Sequence, residues 1–170
     1  MRQFLFLFLI LTSCQAYSQD EAWTDKTRVL PDALRKVPEA IFIRHTPNPN
    51  YPEPTTPEDD TKYAYVWRHA TSMTSPDLEL TVKFAGSYIW YSEAGWQKNV
   101  YYNKKQFAKK FNCPKGILEK GVTYTFEKNY RWGDQPYGGD ALWYVIAEDQ
   151  DGNLYRGISI LETEAEIQEK

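Results

Sequence analysis

Apolar and polar residues alternate with a period of two over most of the chain beyond Tyr63. In YAYVWRHA (63–70), Tyr63, Tyr65, Trp67 and His69 share one side, and Ala64, Val66, Arg68 and Ala70 the other. In LELTVKF (78–84), Leu78, Leu80, Val82 and Phe84 point one way while Glu79, Thr81 and Lys83 point the other. Alternation of this kind marks half-buried strands. Ser75, Pro76 and Asp77 form the turn between the two runs. SYIWY (87–91) continues as a further strand after Gly86, the place for a bulge. VTYTFEKNY (122–130) sets Val122, Tyr124 and Phe126 inward. ALWYVIA (141–147) is apolar on both sides, which places it centrally in a sheet. LYRGISIL (154–161) pairs with it across a turn containing Asp151-Gly152, a strong hairpin signal.

The period changes once. NKKQFAKKFN (103–112) carries Phe107 and Phe111 four residues apart, with lysines on the remaining surface. Asn103 and Gln106 have capping-box spacing, and Pro114 and Gly116 end the run. These elements predict a mainly β fold, with α+β as the variant. The expected form is an antiparallel sheet or small barrel of about six strands with one inserted amphipathic helix.

Before Tyr63 the pattern weakens. PDALRKVP (31–38) suits one helical turn between prolines, and Ile41, Phe42 and Ile43 suit a short strand. Residues 45–61 hold five prolines, which deny amide donors and predict an extended surface connection. The expected organisation is a polar, Pro-rich N-terminal segment with one short strand (19–61), a β-rich domain (62–163) and an acidic tail (164–170).

Residues 4–12 are almost wholly apolar behind the single charge of Arg2. A bilayer span needs about 20 residues, so this run has the length of a signal-peptide core. Leu11-Thr12-Ser13-Cys14 resembles a bacterial lipobox, which would end the leader at residue 13 and lipidate Cys14. Ala16-Tyr17-Ser18 fits an ordinary secretory cut and a leader of residues 1–18. Either cut exports the chain, to the periplasm or an outer-membrane anchor in the first case and as a secreted protein in the second.

Composition narrows the partners. Without Arg2 the chain has 19 basic and 23 acidic residues, a balance unlike that of a nucleic-acid binder. Seven lysines cluster in residues 98–120, read as a solvated helix face. Six tryptophans and thirteen tyrosines suit strands, cores and binding surfaces alike. Cys14 is either lipidated or removed, so Cys113 stands alone and is expected to be a buried thiol.

The chemistry-bearing stretch is NYRWGDQPYGGDALWY (129–144). Tyr130, Arg131, Trp132, Asp134, Tyr137 and Asp140 give flat apolar platforms beside hydrogen-bonding groups, the mixture that a glycan or small-molecule site needs. Gly138 and Gly139 permit close approach of backbone. Asp134 and Asp140 also admit a hydrolase reading, since a glycosidase uses two carboxylates at set separations. Asp149, Asp151 and Asn153 have the spacing of a calcium loop but lack its glycine and glutamate positions, and the hairpin accounts for them. His45 and His69 have no metal spacing, and His69 is expected to be a satisfied polar residue on its strand. No cofactor or metal is expected. The resulting expectation is a non-enzymatic, lipid-anchored envelope binding domain. A hydrolase, or a structural partner protein joined through Cys113, is the alternative.

Overall fold

The computed structural model describes residues 28–168. The leader, Cys14 and both cleavage sites lie outside the described residues. Three open antiparallel sheets carry the fold, and none closes into a barrel. The largest holds β5 (Leu80–Tyr91), β6 (Gly95–Asn103), β7 (Ile117–Leu118), β10 (Gly139–Glu148) and β11 (Leu154–Thr163), in the order β11-β10-β5-β6 with β7 against β5. A second sheet orders β1 (Phe42–Thr46), β4 (Ala70–Thr74) and β8 (Thr123–Phe126). The third orders β2 (Glu53–Pro54), β3 (Tyr65–Trp67) and β9 (Arg131–Gly133). Among the described residues, two helices, α1 (Asp32–Arg35) and α2 (Lys104–Lys110), and two 3-10 turns accompany the sheets.

The main core lies between the large sheet and the second sheet. Val82, Val145 and Ala147 meet Ile41, Met73 and Tyr124 there, and Phe107, Phe111 and Cys113 close one side. The opposite face of the large sheet is covered by the N-terminal segment. Leu34 of α1 packs there on Tyr88, Leu142, Tyr144 and Ile146. Both faces of β10 are therefore buried, which explains its unbroken apolar sequence. Its hairpin with β11 keeps register from Gly139 opposite Thr163 to Glu148 opposite Leu154. In the turn, the Asp149 carboxylate accepts hydrogen bonds from the amides of Asp151 and Asn153, from the Asn153 side chain and from the Tyr155 hydroxyl. Those bonds occupy the oxygens that a calcium ion would need.

α2 begins as its capping box dictates. The Gln106 amide donates to Asn103 Oδ1 at 3.0 Å, and the Asn103 amide donates to Gln106 Oε1 at 3.0 Å. Phe107 and Phe111 stack with centroids 4.5 Å apart and are fully buried.

Several sequence expectations are corrected. Residues 80–91 form one strand, not two. The bulge expected after Gly86 is present against β6, where Gly86 faces Tyr101 and Tyr88 faces Lys98. A second irregularity lies at Lys83, where Ile146 faces Phe84 and Ala147 faces Val82. The extra residue moves Phe84 to the α1 face, while Ala85 continues the face of Leu80 and Val82. Residues 63–70 are not a single strand. The run breaks after Trp67, so Val66 and Trp67 are both fully buried. Val122, expected inward, is exposed because β8 starts at Thr123. Among the described residues strand pieces number eleven, since β2, β7 and β9 have only two or three residues each and too little sequence to show a period.

The Pro-rich stretch is built into the fold. Glu53 and Pro54 pair with Val66 and Tyr65 at a sheet edge, where a missing amide is tolerated. Asn50 is buried, and its backbone bonds to both Glu162 and Glu164. The first tail residue is held as well, because the Trp67 indole N–H donates to the Glu164 carbonyl at 2.9 Å.

Candidate functional site

The third sheet and the β5–β6 hairpin frame an aromatic groove of about 400 Å³. β9 supplies Arg131 and Trp132, with Tyr130 just before it and Tyr137 from the loop after it. Tyr63 enters ahead of β3, while Ile89, Tyr91 and Asn99 come from β5 and β6. Four of the six residues singled out in the sequence, Tyr130, Arg131, Trp132 and Tyr137, thus line one groove. Tyr63, Tyr91 and Asn99 were not singled out, because strand pairing alone brings them there.

The groove is held by packing from beneath. Tyr137 lies against the buried Trp67 ring with centroids 4.3 Å apart, and the Arg131 guanidinium lies over the Tyr137 ring at 5.0 Å. Gly133 makes room for this stack, since a Cβ there would come within 2.6 Å of Tyr137 Cε1. Tyr130 and Trp132 meet edge to face at 6.0 Å. Arg131 Nη1 donates to the Thr163 hydroxyl at 2.8 Å, which in turn donates to the Gly139 carbonyl at 2.8 Å.

The two aspartates do not line this groove. Asp134 is exposed in the turn after β9. Asp140 is ion-paired with Arg28 and lines a separate depression with Gly138, Glu162 and Thr163. Arg28 also lies over the Trp90 ring at 4.8 Å, so Asp140 helps fasten the start of the described chain to the sheet.

Sequence reading missed a buried polar cluster behind the groove. His45 and His69 lie with ring centroids 6.1 Å apart and are almost wholly buried. The Thr71 hydroxyl accepts from Asn129 Nδ2 at 2.8 Å and shares a hydrogen bond with His45 Nδ1 at 2.9 Å. His69 Nδ1 lies 3.2 Å from Asn50 Nδ2 and 3.3 Å from the Trp67 carbonyl. Neither Nε2 has a hydrogen-bond partner. Burial pushes His45 down to about 3, aided by His69 and opposed by the Ser159 backbone. Burial pushes His69 down to about 4, with the Trp67 backbone opposing and the Arg131 charge assisting. Two histidines joined through β1, β4 and the Asn50 loop leave no local spacing to find. Among the described residues no group of three or more His, Cys, Asp or Glu could hold a metal ion.

Cys113 is fully buried, and its Sγ donates to the Ile117 carbonyl at 3.1 Å. Burial, with help from Glu119, pushes its thiol up to about 12. No helix among the described residues is long and apolar enough to cross a membrane. No family model, curated protein or solved structure matches this chain.

Proposed function

We propose that the chain is an exported, non-enzymatic binding domain of the cell envelope, with the aromatic groove as its ligand surface. The observation that carries this reading is the convergence of Tyr63, Tyr91, Tyr130 and Trp132 on one groove supported by the Tyr137–Trp67 stack. Flat rings of this kind form the apolar wall of a sugar or small-molecule site, and Arg131 and Asn99 are the few polar anchors it needs. The lipobox-like Leu11-Thr12-Ser13-Cys14 supports a bacterial lipoprotein tethered through Cys14 in the periplasm or at the outer membrane.

The hydrolase alternative loses support because Asp140 is committed to Arg28 and lines a different depression from the groove. Covalent partnership through Cys113 loses support because the thiol is buried.

The test is the intact mass of the protein taken gently from its own cells, native and then denatured. A chain starting at Cys14 with acyl groups, carrying extra native mass that vanishes on denaturation, is the expected result. Retention of that mass in the Trp132→Ala, Tyr91→Ala double variant would remove the groove from the proposal.

A further inference from the structure

We propose that the groove selects an anionic sugar, a carboxylate-bearing hexuronate unit, with Arg131 as the residue that reads the carboxylate. This rests on the groove being the ligand surface. The half-buried arginines elsewhere each have an acidic partner: Arg28 has Asp140, Arg68 has Asp59 and Arg156 has Glu39. Arg131 is also half-buried, yet among the described residues no carboxylate lies within ion-pair distance of it. Its side-chain partners among the described residues are neutral, the Thr163 hydroxyl and the Tyr137 ring. A guanidinium has five N–H donors in a planar fork that matches a carboxylate, and one Nη1 bond leaves most of that fork unused. A half-buried cation without a counter-charge is free to take an anion without first giving up another, so an incoming carboxylate gains more here than at a paired arginine.

The surroundings favour a sugar acid over an acidic peptide. Tyr63 and Trp132 line the same groove as the guanidinium and bring aromatic surface to it, and Asn99, whose Nδ2 donates to Ser87 at 3.1 Å, offers its side-chain oxygen to a hydroxyl. Lys62, with its ammonium 5.6 Å from the Tyr63 ring, adds a second positive charge at the rim. The one acid in the adjoining turn, Asp134, is exposed to solvent and screened.

Isothermal titration calorimetry on the mature chain would use trigalacturonate, its methyl ester and triglutamate. The acid saccharide is expected to bind at least tenfold more tightly than its ester and than triglutamate. Raising the salt from 50 to 500 mM should weaken the acid several-fold and leave the ester unchanged. Arg131→Gln should bring the acid to the level of the ester, while Arg131→Lys keeps part of the preference. The salt series needs no variant, so it decides the matter even where Arg131→Gln fails to fold. Equal binding of acid and ester overturns the anionic selection and leaves the groove as the ligand surface. Equal binding of triglutamate overturns the sugar class. No heat with any of the three overturns the inference, and the native-mass comparison then judges the groove separately.

Discussion

His45 and His69 meet edge to face in the interior, their rings 6.1 Å apart, and burial favours the neutral form of both. Their unfolded values lie near 6.5, and burial lowers both in the folded state. Below pH 6.5 the unfolded chain therefore binds protons that the folded chain does not. Stability is full above that pH and is lost as pH falls towards 4, by on the order of 1 kcal/mol per pH unit for each histidine. Urea unfolding at pH 7 and pH 5 should show a lower midpoint at pH 5. Asp59 and Asp149 are held below the usual carboxylate range, so their contribution is lost only as pH falls through that range near 4, and between pH 7 and pH 5 they are ionised in both states and add no such loss. An unchanged midpoint, or the same fall in the His45→Gln, His69→Gln variant, would refute the assignment.

Gly133 sits under the groove where a methyl group would strike Tyr137 and come within 3.3 Å of Trp67. Gly133→Ala should push Tyr137 off the Trp67 ring and cost about 1–3 kcal/mol, the range for overpacking a tight site. Near-ultraviolet circular dichroism and the thermal midpoint report the two effects together. A variant with wild-type values for both would show that the stack does not depend on this glycine.

Local rules were legible in the sequence wherever the interacting residues are neighbours. The capping box of Asn103 and Gln106, the Phe107–Phe111 stripe and the β10–β11 hairpin all follow from spacings of a few residues. The central place of β10 was legible too, because burial of both faces removes polar residues from both. Phe84 was misplaced because alternation cannot show the one extra residue at Lys83, which only the partner strand reveals. The Pro-rich stretch looked like a connector because prolines hide backbone pairing, yet the Asn50 backbone joins Glu162 and Glu164. At the site, the aromatic members of one loop were readable as a cluster. The capture of Asp140 by Arg28 and the meeting of the two histidines were not, since each joins residues far apart in the chain.

Cys113 should behave as a core residue. With no exposed surface and its thiol pushed up to about 12, it holds almost no thiolate at neutral pH. Ellman's reagent should fail to label the native mature chain and should label it fully in 6 M guanidinium. Rapid native labelling would contradict the burial and reopen a covalent partner.

Thr163 ties the groove to the sheet. Its hydroxyl accepts from Arg131 and donates to the Gly139 carbonyl, and the residue is 2% exposed. Thr163→Val keeps the shape but leaves a half-buried donor and acceptor without their partner, a loss of about 1 kcal/mol. Thr163→Ser keeps the hydroxyl and removes only a methyl group, so it should recover most of that loss. The two variants separate hydrogen bonding from packing. Since Thr163 also fixes the position of the Arg131 guanidinium, the valine variant should lose affinity for trigalacturonate while its methyl ester binds as before. Equal stability of the valine and serine variants in thermal unfolding would mean that the hydroxyl bridge is not what holds Arg131 at the groove.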